Sequence, residues 1–177
     1  FAVLFDESLP IEGWNAQISL LTGIAASRIM LDAGVGILRT LPEPDDRTLG
    51  QLRRTASALG VEWPRQQSYA DRVRSLRPNT PETAAMLSQA ARGLRGAGYV
   101  AFTDHNRPSD PRHSAIASTY SHVTAPLRRL CDRFANEVVL AQCDGQAPPA
   151  WATEALGELP SLMGSAKNRD RNLERAM

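Results

Sequence analysis

Apolar residues recur at helical spacing along much of the chain. In the first such segment, residues 14–33, apolar side chains fall at steps of three and four without an intervening proline, namely Trp14, Ile18, Leu21, Ala25 and Ile29. Gly34 follows at once, and this pattern is typical of an amphipathic helix that ends at a glycine. The same reasoning predicts further helices over about 46–59, 68–76, 81–96, 126–143, 150–158 and 161–177.

Short β-prone stretches lie between the helices. Residues 35–40, 99–102 and 113–118 are candidate strands. Asp45 or Asp46 can cap the helix that follows the proline-rich turn at 41–46, and Thr80 can cap the helix that begins with Pro81. The sequence therefore predicts an α+β fold that is mostly α-helical with a few short strands, and it contains no interior linker that would separate two domains.

Length and composition suit one medium domain or a piece of a larger one. The 177 residues are 42% hydrophobic and 22% charged, which is ordinary for a globular chain. No apolar run approaches the ~20 residues of a membrane span, and the N-terminus lacks the basic-then-apolar order of a signal peptide. We therefore expect a cytoplasmic protein with no membrane contact.

The basic residues are almost all arginine. Of the 20 Lys and Arg residues, only Lys167 is a lysine. A high-GC bacterial genome produces such a bias, and so does a need to bind phosphate or bases with the planar fork of the guanidinium. Because the formal net charge is only +1, nucleic acid would have to be bound by a local patch and not by a global field.

The cysteines and histidines do not form a recognisable metal or disulfide pattern. Cys131 and Cys143 are twelve positions apart, and the three histidines show no zinc spacing. A helix that contained both cysteines would hold them too far apart to bridge. Reduced cysteines in the core are therefore expected.

Each end of the sequence falls within a segment that has a regular pattern. The first five residues, Phe1 to Phe5, read as a strand without a start methionine, and the last eleven, 167–177, form a charged amphipathic run. We interpret the chain as a segment of a longer protein.

The densest group of chemically useful side chains lies in residues 120–132. An aromatic, an imidazole and a hydroxyl, from Tyr120, His122 and Thr124, precede a predicted helix whose first position suits Pro126. Two arginines, Arg128 and Arg129, would follow in its first turn. A helix N-terminus, two guanidiniums and a hydroxyl together can hold a phosphate.

A simpler interpretation of the same residues is a capped amphipathic helix with solvated arginines. Tyr120 and His122 would then be packed turn residues. Because Arg128 and Arg129 are adjacent, a helix would point them about 100° apart, and only one of them could lie fully on the solvent face.

The pattern around these residues resembles the signature of the RNB domain in the ribonuclease II family. In that family a short H-x-G-L-A strand leads to Y-x-H-x-T-S-P-I-R-R-Y-x-D, and the chain has HSAIA at 113–117 and YSHVTAPLRRLCD at 120–132. Weaker likenesses cover the helix at 15–30, which ends near Arg28, the Leu59-Gly60 turn, and the charged run at 168–176. The match covers nearly the whole chain, strongly at 113–132.

Several positions depart from the family pattern. Ala125 replaces a serine, Leu130 an aromatic residue and Gly23 an asparagine. Ala16 and Gln17 stand where the family usually has acidic residues. Gln17 can still donate a hydrogen bond to a base or ribose, but it carries no charge.

The resemblance implies a protein that degrades single-stranded RNA hydrolytically in the 3′→5′ direction to nucleoside 5′-monophosphates. Arg128 would be the catalytic residue and would bring positive charge to the scissile phosphate. The RNA-binding residues would be Tyr120, His122, Thr124, Arg129 and Gln17, which shape the site or hold the RNA backbone. A non-catalytic RNA-binding or regulatory relative, or a helical interaction module unrelated to RNA, are alternatives.

The resemblance also implies a metal that this chain does not provide for. The family's Mg²⁺ ligands come from a D-x-x-D-x-D-D segment, and nothing in the sequence matches it; Asp45-Asp46 reads as a helix cap. We expect residues 1–177 to be the C-terminal portion of an RNB-type domain that binds no metal itself. Mg²⁺ and the remainder of the domain would belong to the full-length parent.

Overall fold

The computed structural model describes residues 9–77, 79–91 and 96–176. The helices are α1 (Pro10–Ala33), α2 (Asp46–Ala58), α3 (Tyr69–Ser75), α4 (Pro81–Ala90), α5 (Leu130–Cys143), α6 (Ala150–Ala155) and α7 (Leu159–Ala176), with a 3₁₀ turn at Leu156–Glu158. The strands are β1 (Gly36–Thr40), β2 (Gly98–Phe102), β3 (Arg112–His113) and β4 (Ser118–Thr119). The predicted α+β class, mostly helical with a few short strands, is confirmed.

The structure contains the helix caps and the helix-ending glycine that the sequence predicted. Gly34 ends α1 with φ of 75°, a left-handed conformation that costs glycine little. The Asp45 carboxylate accepts a hydrogen bond from the Thr48 amide at 2.7 Å, and Thr80 caps α4. Asp45 is therefore a structural cap, as its position in the turn indicated.

Two predicted elements differ from the structure. Residues 113–118 do not form one strand, because Ala117 has φ of 56° and the chain reverses between β3 and β4. These two strands pair antiparallel, Arg112 with Thr119 and His113 with Ser118. The helix predicted over 126–143 begins only at Leu130, so Pro126 is not its first residue. The end of the helix predicted over 81–96 lies partly outside the described residues.

The chain divides into two compact units. The first contains residues up to Leu38, Val100–Pro108 and Tyr120 onward; the second contains Arg39–Tyr99 and Ser109–Thr119. In the first unit, α5 packs on α1, α6 and α7. Its buried side chains include Met30, Phe102 and Val138.

The apolar stripe that predicted α1 is not its buried face. Trp14, Ile18 and Leu21 are 65%, 64% and 69% exposed. The buried positions of α1 are the small residues Gly23, Ala26 and Ser27 together with Met30. Small side chains permit the close approach of neighbouring backbone, so α1 packs through a face that hydrophobicity alone did not identify.

The second unit has its own core around α2, α3 and α4. Its buried residues are Leu52, Ala56, Val61, Tyr69, Leu76, Met86 and Ala90. The Tyr69 hydroxyl donates to the Ala90 carbonyl at 2.6 Å, which satisfies its polar end inside the core. Burial raises the pKa of this hydroxyl, so it stays protonated and able to donate.

The two cysteines differ in environment. Neither forms a disulfide, but only Cys131 is buried, whereas Cys143 is exposed at the end of α5. The expectation of two core cysteines is therefore wrong for Cys143. No helix among the described residues is both long and apolar enough to cross a membrane.

Arg53 organises the loop that follows α2. Its guanidinium lies 4.7 Å from the centroid of the Trp63 ring. The same group donates four hydrogen bonds of 3.2–3.4 Å to the backbone carbonyls of Trp63, Pro64, Arg65 and Gln67. One side chain therefore donates hydrogen bonds to four backbone carbonyls in a loop that lacks regular secondary structure.

We expect Arg53→Ala to lower the free energy of unfolding by about 2 kcal/mol, because four carbonyls lose a charged donor and the cation–π contact is lost. Arg54→Ala is the matched control, since Arg54 is an exposed neighbour on the same helix and surface substitutions usually change stability by less than about 0.5 kcal/mol. Urea unfolding of both variants measures the difference. Equal stabilities would show that the Arg53 contacts do not stabilise the loop.

Candidate functional site

Residues 120–124 cross the first unit in an extended segment that is fixed by backbone hydrogen bonds. The Ser121 amide donates to the Gly23 carbonyl of α1 at 3.1 Å, and its hydroxyl donates to the Ile37 carbonyl of β1 at 2.7 Å. The Asn136 side chain of α5 donates through Nδ2 to the Val123 carbonyl at 3.1 Å. Ser121 and Val123 are buried, so the polar candidates beside them have defined positions.

Gly23 permits this segment to lie against α1. A Cβ atom at this position would fall 2.6 Å from the Ser121 carbonyl oxygen and would also collide with the Tyr120 ring. Ser121 cannot retreat easily, because it is hydrogen bonded to both α1 and β1. Gly23, noted in the sequence only as a departure from the family pattern, is thus required by close packing.

Tyr120 and His122 form an aromatic pair beneath the surface. Their rings meet edge to face at 87°, with centroids 5.4 Å apart. Tyr120 is only 9% exposed and His122 is half-buried. Burial raises the pKa of the Tyr120 hydroxyl; Arg129 lowers that pKa and Asp132 raises it further. The Tyr120 ring is therefore packed against both Gly23 and His122.

A tight turn, not a helix, carries the two arginines. The amides of Arg128 and Arg129 donate to the Ala125 carbonyl at 3.2 and 3.0 Å, and α5 begins after them at Leu130. Arg129 itself is extended, with φ of −124° and ψ of 116°. The expected separation of the two side chains by one helical position is therefore wrong, because neither residue lies in the helix.

The Asp132 carboxylate fastens this turn to α5. Arg129 donates to it in a bidentate fork, Nε to Oδ1 and a terminal nitrogen to Oδ2, both at 2.8 Å. The Ala125 amide also donates to Oδ2 at 2.8 Å, and the Cys131 thiol to Oδ1 at 3.4 Å. Asp132 is completely buried. The predicted signature contained Asp132, but its spacing alone did not reveal this role.

These contacts keep Asp132 ionised. Burial alone would raise the pKa of its carboxyl, but the hydrogen bonds from Arg129 and Ala125, the positive charge of Arg129 and the Cys131 thiol outweigh it, so the pKa lies below its ordinary value. The protein's own carboxylate thus binds one of the two guanidiniums that were predicted to hold a phosphate, that of Arg129.

The two arginines consequently have different surroundings. Arg129 is 18% exposed and its fork is engaged by Asp132. Arg128 is exposed, and within the described part of the chain its guanidinium donates no hydrogen bond. Only Arg128 therefore has its fork available to an external anion.

The other predicted contacts are distributed more widely. Thr124 is exposed on the same turn, beside Leu127, which is fully exposed. Gln17 is exposed on the N-terminal half of α1. The RNA contacts predicted for Gln17, Tyr120, Thr124, His122 and Arg129 stay predictions.

One group of side chains has the proximity needed to hold a metal. Ligand atoms of His122, Cys131 and Asp132 lie within 4.8 Å of one another, and no other such group occurs among the residues that the structure describes. Mg²⁺ prefers oxygen ligands in octahedral geometry. Here both carboxylate oxygens already accept protein donors, and the Arg129 cation is bound to them. The group does not fit Mg²⁺, and the expectation of Mg²⁺ in the parent stays a prediction.

Similarity to known proteins places this fold in one class. No family model matches the chain. The exosome complex exonuclease RRP44 homolog A of Arabidopsis thaliana is 27% identical over 158 residues, which cover 86% of the chain and 17% of that protein. The chain is therefore similar, over most of its length, to a small part of that exonuclease.

Solved structures support the same conclusion. RNase R of Mycoplasma genitalium superimposes on 97% of the chain with a TM-score of 0.77 and 19% identity, over 28% of its own length. Its complex with ribose-methylated single-stranded RNA gives a TM-score of 0.72 over 93% of the chain. Yeast Ssd1, a pseudonuclease, matches 83% of the chain with a TM-score of 0.65, 14% identity and 19% of its length.

These likenesses confirm, for the fold, the resemblance found in the sequence. The chain spans 17% of the curated relative's length and about a quarter of RNase R. The relatives include both exonucleases and a pseudonuclease, so the fold alone does not decide between catalysis and binding.

We expect Gly23→Ala to destabilise the chain by about 2 kcal/mol, because the added methyl group overlaps backbone that is held on two sides. Gly13→Ala is the matched control on the same helix. A Cβ at Gly13 meets no atom within 4 Å, so alanine there should stabilise α1 by up to about 1 kcal/mol. Chemical unfolding of the two variants should give changes of opposite sign, and changes of equal sign would contradict the packing argument.

Stability should also fall in acid through Asp132. Because its folded pKa lies below the ordinary value of 3.8, its stabilisation is complete above that value and is lost as pH falls towards the lowered pKa. Asp132→Asn should cost about 2 kcal/mol at neutral pH and flatten the acid limb of the stability curve.

Urea unfolding between pH 7 and pH 3 measures this effect. Asp110→Asn is the control, because Asp110 pairs with Arg112 on the surface and should contribute little. An Asp132→Asn variant whose stability declines in acid as steeply as the natural chain would show that Asp132 is not the titrating group.

Proposed function

We propose that this chain is the C-terminal part of an RNB-type domain that hydrolyses single-stranded RNA from the 3′ end. Arg128 is the residue that acts on the scissile phosphate. The observation that carries the proposal is the exposed guanidinium of Arg128 on a turn that the buried Asp132 fixes. The resemblance of the sequence signature to the ribonuclease II family supports the reaction class.

Arg128 serves the reaction by its placement. A guanidinium can donate two parallel hydrogen bonds to phosphate oxygens and carries a permanent charge. A donor that is held in position before the reaction stabilises negative charge that develops in the transition state with little reorganisation. The turn limits the motion of the Arg128 backbone, since Ala125 and Arg129 are both bonded to Asp132.

The neighbouring residues support this arrangement in distinct ways. Thr124 offers an exposed hydroxyl on the same turn, and Gln17 offers an amide on α1. Tyr120 and His122, which precede this turn in the sequence, pack edge to face against each other. Single-stranded RNA would be held mainly through its phosphates, which gives salt-sensitive binding with little sequence preference.

A second candidate function is RNA binding or regulation without hydrolysis. The likeness to yeast Ssd1, a pseudonuclease, favours it, and so does the neutral Gln17 at a position where the family usually has a carboxylate. Mg²⁺ ligands decide between the two functions, because metal-dependent phosphodiester hydrolysis requires them.

Arg128→Ala is expected to separate chemistry from binding in a protein that carries this segment within a whole RNB domain. Loss of a preorganised donor should lower the single-turnover rate about a hundredfold, with a much smaller change in RNA affinity. Arg128→Lys should restore only part of the rate, because an ammonium cannot form the bidentate fork. Rapid-quench assays with labelled RNA, alongside anisotropy titrations, measure both quantities.

Arg129→Ala is the matched comparison, since it removes the neighbouring guanidinium from the Asp132 carboxylate. It should reduce stability, because a buried carboxylate loses its partner, and it should change the rate per folded molecule less than Arg128→Ala. A normal single-turnover rate in Arg128→Ala would overturn the catalytic assignment. Poor affinity in that variant would then favour the binding function.

A further inference from the structure

Among its described residues, the second unit contains two arginine–aromatic stacks, and their guanidiniums differ in their hydrogen bonds. Arg53 lies over Trp63 and Arg39 lies over Tyr99, each with the guanidinium carbon 4.7 Å from the ring centroid. Arg53 uses its donors on four loop carbonyls. In the described part of the chain, the Arg39 guanidinium donates no hydrogen bond and forms no ion pair.

Strand pairing fixes the position of Arg39. Arg39 belongs to β1 and Tyr99 to β2, and these two strands form one sheet. Leu41, two residues further, forms a bridge with His113 of β3. Arg39, Tyr99 and His113 are all half-buried, so the guanidinium is partly removed from water and oriented by the ring below it.

The charge next to Arg39 is also defined. Burial lowers the pKa of His113, and the positive charge of Arg39 lowers it further. The imidazole is therefore neutral at neutral pH. Of Arg39, Tyr99 and His113, only Arg39 then carries a positive charge. A partly desolvated, pre-oriented guanidinium loses less conformational freedom when it binds an anion than a freely rotating surface arginine does.

We propose that Arg39, supported by Tyr99, binds a backbone phosphate of single-stranded RNA and thus forms a second phosphate contact besides Arg128. The proposal rests on the proposed function, because it takes RNA as the ligand. The ligand is a phosphodiester, which matches the planar fork of the guanidinium. Arg53 does not qualify as a contact, because its donors already stabilise a loop.

The test uses the 177-residue chain and a fluorescein-labelled oligouridylate, with anisotropy titrations over a range of salt concentrations. Each phosphate contact to a single strand contributes about 0.7 to the slope of log affinity against log salt. Arg39→Ala should reduce this slope by about 0.7 and weaken binding at low salt by about tenfold. Arg39→Lys should keep the slope and weaken binding only about threefold.

Two control variants isolate the contact. Arg53→Ala removes the other stacked arginine and should leave the salt slope unchanged, although it destabilises the fold. Tyr99→Leu removes the supporting ring and should weaken binding by about threefold, the size of a modest cation–π contribution. Circular dichroism checks that each variant is folded. If Arg39→Ala does not fold, Arg39→Lys decides, and natural affinity in that variant overturns the proposal.

The outcomes distinguish this inference from the proposed function. Natural affinity and slope in Arg39→Ala, with weakened binding in Arg128→Ala, would overturn the Arg39 contact alone. A chain that binds no RNA at any salt concentration would overturn both the contact and the RNA-binding role. A reduced slope in both variants, and a further reduction in the double variant, would support two separate phosphate contacts.

Discussion

The candidate site depends on the hydrogen bonds that the buried carboxylate of Asp132 accepts. An ionised group without solvent contact is stable only when donors surround it, and Asp132 receives its donors from Ala125, Arg129 and Cys131. The bond to Ala125 reaches back seven residues, so it closes the turn that carries Arg128. The same carboxylate therefore holds the turn against the first turn of α5 and occupies the guanidinium of Arg129, which leaves that of Arg128 available.

This arrangement explains how two adjacent arginines can have different functions. Arg129 neutralises Asp132 and is largely buried, whereas Arg128 is directed to solvent from a turn with two backbone hydrogen bonds. An arginine pair in a sequence indicates positive charge, but it does not show how much of that charge is already used within the fold. The same distinction separates Arg39 from Arg53, because one guanidinium satisfies four carbonyls and the other satisfies none in the described part of the chain.

Much of the fold could be predicted because its elements have strong local signals. Gly34, Asp45 and Thr80 end or begin helices through their own backbone preferences and side-chain oxygens, so short-range patterns sufficed. The start of α5 was placed four residues too early, since proline at a first helical position is a local preference that the Asp132 contacts overrule. The β3–β4 reversal was missed because it depends on a left-handed alanine, Ala117, which no residue preference indicates.

The parts of the site that the sequence could not predict are those determined by long-range contacts. Gly23 matters because Tyr120 and Ser121, almost a hundred positions later, pack onto it. The predicted site residues Tyr120, His122 and Arg129 do lie together around Asp132, but their exposure follows from packing. The spacing of residues within one segment of sequence does not show which of its side chains distant parts of the chain will bury.

The structure also changes the meaning of the departures from the family signature. Ala125 fastens the turn through its backbone amide, so the missing serine hydroxyl is not needed there. Leu130 is 43% exposed, and therefore an aromatic residue at that position is not required by the core. Gly23 is compatible with the packed Tyr120, whereas a larger residue would displace it. These three substitutions therefore preserve the scaffold that presents Arg128, and they do not favour a pseudonuclease over an enzyme. That choice depends on the metal-binding carboxylates, because an arginine can stabilise charge on a phosphate but cannot activate the attacking water in their place.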